Sequence, residues 1–358
     1  METALTDDIW SQESCTPTDI ETALRGLLNQ RASEGGGVYA PARVLNLIVI
    51  VDREWRGEIA NRLEQVGRYS ASRTIMCVVE QGRDHISAWA RMSAPDTAPP
   101  PGEIAPVREQ IEVDVGPQHL PVLDTVVDPI VVPELLTVLW SPHGHQDAVD
   151  ALLPRIVDVI LIDSVFDPDP EDALGRVEEL SEKAYVVDLA WLRSTPWRER
   201  VAATFDPREM RNLLSAISGV TVRYRPDSQA SALLFVGWLA SRLGWTVSPL
   251  SGLGAALHGH ARAHRQEIQI RLDQHPDQAV PGLAGVTVDT AHGVSVSLDR
   301  APGGLTEHRR ERDGSEHVWK VLGASRGEGG ILGQGVRQAL LRDPTYKPAL
   351  DAARAMLP

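Results

Sequence analysis

Residues 323–327 match the Gly-x-Ser-x-Gly pattern, which can place a nucleophilic serine at a sharp turn between a strand and a helix. In hydrolases that use this turn, an acidic residue and then a histidine must follow the serine along the chain. The last histidine here is His317, which precedes Ser325. The order needed for catalysis is therefore missing, and we predict a turn made of small residues with no catalytic role.

Two other groups of residues have types that suit ligand binding. His258, His260 and His264 could approach a metal ion together with Glu267, since zinc requires three or four convergent ligands. Their alanine, glycine and arginine neighbours favour an exposed loop, so we predict no metal site. The glycines within 327–335 follow neither of the common phosphate-binding patterns, and we predict a flexible loop there and no cofactor.

Polar residues that directly follow two apolar runs form a candidate crevice. Asp163 and Ser164 follow one run, and Asp188 follows the next. Ligands of open α/β sheets bind at the carboxyl ends of strands, so these side chains could converge with Trp191 and Arg193 around an anion. The alternative is that the acidic residues cap the helices that follow them.

Residues 188–198 combine two tryptophans and two arginines with a helix-start signal, but contain no set of groups that could do chemistry alone. Trp and Arg concentrate binding energy at protein–protein contacts, so this segment predicts a docking surface. Arg73, a basic residue beside small polar ones, could serve a partner or an anion in the same way. The predicted partner-binding residues are Trp191, Arg193, Trp197, Arg198 and Arg73.

Charge argues against several classes of partner. The chain has 358 residues and a formal net charge of −14, whereas nucleic-acid binding requires a basic face. The densest basic run, at 309–312, is interrupted by Glu311. No apolar stretch approaches the ~20 residues of a membrane span, and the acidic N-terminus lacks the features of a signal peptide. Cys15 and Cys77 do not form a disulfide framework. These features predict a cytoplasmic protein that binds neither nucleic acid nor membrane.

These candidate residues require a scaffold of alternating strands and helices. Short apolar runs at 43–51, 73–79, 135–140, 157–162 and 185–189 are typical of strands covered on both faces, and helical patterns separate most of them. Residues 85–92 and 107–115 are predicted as antiparallel strands. We therefore expect an α/β fold whose N-terminal region holds a mixed, largely parallel sheet with flanking helices.

The C-terminal region has a different pattern. Alternating segments between 267 and 322 predict antiparallel strands, and 196–205, 207–217, 228–243, 329–342 and 346–357 predict helices, which together indicate an α+β region. The prolines near 168 are typical of a linker. We predict an N-terminal domain over 1–168, with 1–15 poorly ordered, and a C-terminal domain over 169–358.

Taken in order, several segments resemble the glucose-6-phosphate dehydrogenase assembly protein family, known as OpcA. Residues 188–198, with Asp188-Leu-Ala-Trp191 and Thr195-Pro-Trp-Arg198, are the most specific of them. The other matching segments are 72–74, 133–140, 163–164, 237–243 and 340–346. The resemblance covers roughly residues 16 to 357.

The resemblance implies a non-catalytic protein that binds glucose-6-phosphate dehydrogenase, promotes its assembly or active state, and so feeds the oxidative pentose phosphate route to NADPH. Some relatives are thought to relay redox state through cysteines, but Cys15 and Cys77 lie in unlike environments, so we predict no thiol switch here. Two alternatives stay open: an enzyme acting on sugar phosphates at Asp163 and Asp188, and a sensor of an anionic metabolite. The sequence leaves the oligomeric state open.

Overall fold

The computed structural model describes residues 5–35, 38–67, 71–96, 99–100, 103–165, 167–252, 255–263, 266–322 and 327–358. The strands are β1 (Leu5–Gln12), β2 (Val38–Pro41), β3 (Leu45–Asp52), β4 (Ser72–Val79), β5 (Ser87–Pro95), β6 (Ile104–Val115), β7 (Thr137–Trp140), β8 (Val159–Ile162), β9 (Tyr185–Asp188), β10 (Ile217–Tyr224), β11 (Thr246–Val247), β12 (Ala256–Ala263), β13 (Gln266–Gln274), β14 (Leu283–Thr290), β15 (Ser295–Ala301), β16 (Gly304–Arg310) and β17 (Glu316–Leu322). The α-helices are α1 (Pro17–Gly35), α2 (Arg56–Gly67), α3 (Leu123–Val127), α4 (Gln146–Leu152), α5 (Pro170–Ser181), α6 (Leu189–Arg193), α7 (Thr195–Phe205), α8 (Arg208–Arg211), α9 (Gln229–Leu243), α10 (Gly327–Leu341) and α11 (Tyr346–Arg354).

The chain divides into two compact units. Unit 1 comprises Met1–Ile162, Leu180–Val187 and Glu328–Leu341, and unit 2 comprises Asp163–Glu179, Asp188–Gly327 and Arg342–Pro358. A single boundary at 168 was predicted, but the division is interleaved. The physical reason is that β9 extends the sheet of unit 1, so the chain returns to that unit after the proline-rich linker.

Unit 1 is built on a mixed sheet whose described strands run in the order β1-β5-β6-β4-β3-β7-β8-β9, with β2 beside β6. The pairs β6–β4, β4–β3, β3–β7 and β7–β8 are parallel, and β1–β5 and β5–β6 are antiparallel. Every residue of β3 from Leu45 to Val51 is buried, as expected of a parallel strand covered on both faces. The predicted largely parallel sheet with flanking helices is confirmed.

The N-terminus corrects one prediction. Residues 1–15 were expected to be poorly ordered, but β1 pairs antiparallel with β5 from Leu5 to Gln12. Each second residue of β1 is exposed, so it is an edge strand with a weak apolar signal. Helix α1 follows this strand, and the Asp19 carboxylate in its first turn accepts hydrogen bonds from Thr16 N and Oγ1, both at 2.8 Å.

Unit 2 is built on a sheet whose described strands run in the order β11-β12-β13-β10-β14-β15-β16-β17. Only the β10–β13 pair is parallel, which confirms the predicted antiparallel character. Helix α9 is buried along most of its length and packs on α11. Gly237 permits this approach, because a Cβ built there would lie 2.2 Å from the Ala349 carbonyl oxygen.

Three local predictions are wrong. The helix expected at 207–217 is reduced to α8 and a single 3₁₀ turn (Leu214–Ala216), because β10 begins at Ile217. The loop expected around His258 and His260 is strand β12, which pairs with β13 from Ala256 to Ala263. The glycines at 327–335 lie in α10 and not in a loop; Gly329 is buried against Gln65. In each case tertiary contacts override the weak local preference.

Candidate functional site

The carboxylate of Asp188 is the centre of a buried polar network within unit 2. Its Oδ1 accepts hydrogen bonds from Ala190 N at 2.9 Å and from Ser164 N at 3.2 Å. Its Oδ2 accepts from Tyr346 OH at 3.0 Å and from Ser164 Oγ. Asp188 therefore caps helix α6, as the alternative interpretation of the sequence expected, and also joins Ser164 to Tyr346.

Burial changes the acidity of this carboxyl group. Asp188 is 1% exposed, and the loss of solvation raises its pKa from 3.8 to about 6, with the charge of Asp163 adding to the rise. Hydrogen bonds from Ser164 and Ala190 act in the opposite direction, because they favour the charged form. Asp188 consequently changes protonation just below neutral pH.

Asp163 and Arg193 form a buried ion pair beside this carboxylate. Arg193 Nη1 donates to Asp163 Oδ1 at 2.7 Å, and Arg193 Nη2 donates to Asp163 Oδ2 at 2.6 Å. The side chains are 4% (Asp163) and 6% (Arg193) exposed. This bidentate pairing fixes the geometry of both groups. It also places a negative charge beside a buried positive charge, which reduces the cost of burying either one.

The indole of Trp191 is enclosed by polar partners. Its Nε1 donates to Asp343 Oδ2 at 2.9 Å, and the Arg198 guanidinium lies over the ring with Cζ 3.4 Å from the centroid. The Tyr346 ring packs against the same indole, with 5.4 Å between centroids. Trp191 therefore links Arg198 to the segment that holds both Asp343 and Tyr346.

Arg198 is held almost entirely by uncharged oxygens. It donates to Ser194 Oγ at 3.1 Å, to Thr195 Oγ1 at 2.9 Å and to the Trp191 carbonyl at 3.2 Å, and it lies 3.9 Å from Asp343. Burial lowers its pKa to about 10, against the opposing charge of Asp343, so it stays protonated at neutral pH.

Asp343 and Tyr346 were not predicted as site residues, although their segment contributed to the family resemblance. Asp343 Oδ1 accepts from Thr345 N at 2.8 Å and from Thr345 Oγ1 at 2.6 Å, which closes the turn that leads into α11. Burial acts to raise the pKa of Asp343, but the hydrogen bonds from Thr345 and Trp191 outweigh it and the pKa is lowered. The Asp-Pro-Thr helix-start pattern was the available signal, and it revealed the turn without its distant partners.

The predicted docking residues of unit 2 lie in its interior. Trp191 is 2%, Trp197 1%, and Arg193 and Arg198 8% exposed. Trp197 also lies near Arg300, whose Cζ is 5.7 Å from the ring centroid. The expectation of an exposed Trp/Arg surface is therefore wrong for this conformation. The same residue types that anchor interfaces also satisfy buried networks, because Arg and Trp supply donors together with a large apolar area.

Arg73 in unit 1 is likewise buried and already paired. It is 4% exposed, and its Nε donates to Glu109 Oε2 at 3.1 Å. Its Nη1 donates to Glu21 and to the Ile130 carbonyl. The guanidinium has internal acceptors on several sides, so direct contact with a partner or an anion is not supported in this conformation.

The chemistry of the Asp188 network is limited by its enclosure. A carboxyl group with a pKa near 6, a serine hydroxyl and a tyrosine hydroxyl could in principle exchange protons, and the predicted convergence of Asp163, Ser164 and Asp188 with the 188–198 segment is present. However, Asp188, Ser164 and Tyr346 are 1%, 5% and 6% exposed, so the expected crevice is filled by the protein itself. Their hydrogen-bonding groups are engaged with one another.

The remaining candidate residues from the sequence are the serine of the Gly-x-Ser-x-Gly pattern and the three histidines at 258–264. The Gly-x-Ser-x-Gly serine, Ser325, and the third histidine, His264, lie outside the described residues. His258 and His260 are exposed on β12. Within the described ranges, no group of three or more His, Cys, Asp or Glu side chains is arranged to hold a metal ion. In the same ranges, no helix combines the length and apolarity needed to cross a bilayer.

Comparison with protein families gives two consecutive matches, both to models of domains from a "Glucose-6-phosphate dehydrogenase subunit". The model of the N-terminal domain matches residues 63–179. The model of the C-terminal domain matches residues 184–350. Together they cover every residue of the Asp188 network.

Curated relatives carry the name OxPP cycle protein OpcA. The one from Synechocystis sp. is 34% identical over 125 residues, 34% of this chain and 26% of the relative. The one from Synechococcus elongatus is 29% identical over 174 residues, 48% of this chain and 39% of the relative. The one from Nostoc punctiforme is 42% identical over 94 residues, 26% of this chain and 20% of the relative. The matches thus span well under half the length of these relatives.

Solved structures resemble the chain only weakly. The WlbA (WbpB) dehydrogenase from Thermus thermophilus has a TM-score of 0.44 and 13% identity, over 87% of this chain and 94% of that one. The scyllo-inositol dehydrogenase from Lactobacillus casei has a TM-score of 0.42 and 10% identity, over 88% and 96% respectively. Likeness at this level establishes neither a shared activity nor a shared substrate.

Proposed function

The chain belongs to the OpcA family of glucose-6-phosphate dehydrogenase assembly proteins, and from this we propose that it is a non-catalytic assembly factor and allosteric activator of that dehydrogenase. In this role it acts in the cytoplasm, in the oxidative pentose phosphate pathway, and increases the supply of NADPH. It consumes no substrate and needs no cofactor of its own.

One observation supports this proposal: the residues that make the family resemblance most specific are buried and bonded to one another. The Asp188 carboxylate accepts from Ser164, Ala190 and Tyr346, and Arg193 is paired with Asp163. An enzyme active site leaves reactive groups accessible to substrate, whereas these groups are buried and mutually bonded. This arrangement favours a protein that acts through the shape of its surface, by binding a partner.

An activator of this kind needs only a difference in its affinity for two states of the dehydrogenase. A difference of about 3 kcal/mol changes the equilibrium between those states by roughly a hundredfold. Surface complementarity alone can supply such a difference. No bound nucleotide or metal is required for it.

Under this proposal the buried Trp/Arg block, which consists of Trp191, Arg193, Trp197 and Arg198, contributes to partner binding indirectly. Trp191, Trp197 and Arg198 hold helices α6 and α7 in place, and Asp343 ties the same block to the start of α11. The surfaces of these helices therefore have a fixed shape. Arg73 plays the corresponding part in unit 1, where it ties β4 to Glu21 of α1 and Glu109 of β6.

The proposal is tested by mixing the purified chain with glucose-6-phosphate dehydrogenase. We expect the two proteins to co-elute in size-exclusion chromatography and the activity of the dehydrogenase to rise with added chain until saturation. The exposed-charge variant Asp277→Asn serves as a matched positive control, because it should behave as the unmodified chain.

Two results would count against the proposal. One is an unchanged dehydrogenase across a full titration, with no co-elution. The other is turnover of a sugar phosphate by the isolated chain, which would favour the enzyme alternative. Calorimetry with glucose 6-phosphate alone separates the remaining alternative, a metabolite sensor, because a sensor binds its anion in the absence of the dehydrogenase.

A further inference from the structure

The two edges of the sheet in unit 2 are unequal. One edge is β11, which has two residues. The other is β17, which has seven and pairs with β16 on one side. A long edge strand presents a row of backbone N–H and C=O groups that can pair with another strand.

Strand β17, which pairs with β16 alone among the described strands, carries two exposed apolar side chains. Val318 is 56% exposed and Trp319 is 39% exposed. The Trp319 ring stacks on His317, with 5.7 Å between centroids and 23° between planes. The Arg309 guanidinium lies 5.2 Å from the same indole centroid. An exposed edge strand that carries apolar side chains can act as a template for pairing with another strand.

Strand β1, at one edge of the unit 1 sheet, also exposes two large apolar side chains, Leu5 and Ile9, but its charges differ from those of β17. Strand β1 carries two adjacent acidic residues, Asp7 and Asp8, which pair with Arg91 and Arg31. Paired charges of this kind discourage strand addition. Strand β17 has only Glu316 and Lys320, and neither forms a salt bridge with the described residues.

Glu316 and Lys320 are placed so that two antiparallel copies of β17 can bring opposite charges together. Glu316, Val318 and Lys320 alternate along β17, so they lie on one face of the strand. When two copies of β17 pair antiparallel with Val318 opposite Val318, each Glu316 faces Lys320 of the second copy. His317 of each copy then faces Trp319 of the other, so the stacked rings continue across the interface. Shifting the register by one residue removes both charge pairs.

We propose that β17 pairs antiparallel with β17 of a second copy of this chain, in the register centred on Val318. The pairing has two-fold symmetry and joins the two sheets edge to edge. Opposite charges at facing positions and aromatic cross-strand pairs both stabilise such a ladder. This inference does not depend on the proposed role with the dehydrogenase.

The test is a charge exchange on the full chain, read by light scattering after size-exclusion chromatography and by sedimentation at several concentrations. We expect the unmodified chain to form dimers. In Lys320→Glu the facing residues are all acidic, and in Glu316→Lys they are all basic, so each single variant should raise the dimer dissociation constant by about tenfold or more. An equimolar mixture of the two variants should dimerise again, because lysines then face glutamates.

Two matched controls isolate the effect of position. Lys183→Glu and Glu182→Lys make the same charge changes at exposed sites outside β17, and both should dimerise as the unmodified chain does. The double variant Glu316→Lys/Lys320→Glu should also dimerise, because it exchanges the charges and keeps them complementary. Circular dichroism of every variant should be unchanged, since both side chains are exposed.

Several outcomes would overturn the inference. A monomeric chain at all concentrations would do so, as would single variants that dimerise normally or a mixture that stays monomeric. A chain that is monomeric alone, but binds the dehydrogenase through a contact that Lys320→Glu abolishes, would assign β17 to a different occupant. Because self-association and dehydrogenase activation are measured separately, failure here leaves the proposed function standing.

Discussion

The Arg198 guanidinium covers the face of the Trp191 indole, with Cζ 3.4 Å from the ring centroid, and also donates to the Trp191 carbonyl at 3.2 Å. One side chain thus contacts the ring and satisfies the backbone of the same residue. Cation–π contacts stabilise more when they are desolvated, and both residues are less than a tenth exposed. The pair therefore stabilises unit 2 from the inside.

Replacing Trp191 tests whether the block is interior. Trp191→Ala removes a buried ring, its hydrogen bond to Asp343 and its contact with the Arg198 guanidinium, so we expect the free energy of unfolding to fall by about 3–5 kcal/mol. Urea unfolding followed by far-ultraviolet circular dichroism measures this change. The control is Trp55→Ala, which truncates a tryptophan that is 44% exposed and should cost far less. Equal costs for the two variants would show that Trp191 is not part of the core.

The buried pair of Asp163 and Arg193 should show strong coupling. Asp163→Asn removes the carboxylate charge that the Arg193 guanidinium faces, and we expect a loss of about 3–5 kcal/mol in unfolding free energy. Adding Arg193→Met removes that charge, so the double variant should be more stable than the sum of the single effects predicts, by at least about 1 kcal/mol. Simple additivity in this double-mutant cycle would contradict the pairing. Asp277→Asn, at an exposed position, serves as the control.

Asp188 should make stability depend on pH. Its pKa of about 6 in the folded protein exceeds the ordinary 3.8. Between these two pH values the folded state therefore binds a proton that the unfolded state has released. The stabilisation from this proton is complete below about pH 4 and is lost as the pH rises through 6, a change of about 3 kcal/mol. We expect the unfolding free energy of the unmodified chain, relative to Asp188→Asn, to decline over this range. A difference that stays constant from pH 4 to 7 would contradict this assignment.

The proposed indirect role of the block makes a prediction about activation. Arg198→Lys keeps the charge but loses the planar fork that reaches Ser194, Thr195 and the Trp191 carbonyl. We expect a loss of about 1–3 kcal/mol in stability and weaker activation of the dehydrogenase, in a chain that is still folded. The control Arg208→Lys changes an exposed arginine and should activate normally. Full activation by Arg198→Lys would separate this block from partner binding.

Much of the fold could be predicted because each buried strand must be apolar along its length. The runs at 43–51 and 73–79 correspond to β3 and β4, and the alternating segments after 267 correspond to the antiparallel strands of unit 2. Strand β1 was not predicted, since an edge strand buries few of its side chains and its sequence shows little pattern. Strand β12 was missed for a similar reason: its pairing with β13, and not its composition, determines its conformation.

The residues of the candidate site also differ in how much of their arrangement the sequence could predict. The sequence by itself determined that Asp188 begins a helix, because a cap and the turn after it are set by neighbouring residues. Only the tertiary structure decided that Trp191 and Arg198 face inward, where Trp191 meets Asp343 from 152 positions along the chain. The donors and the large contact area of Trp and Arg suit a partner surface and the interior of their own chain alike. Which of the two they meet depends on long-range packing, and local sequence patterns do not encode it.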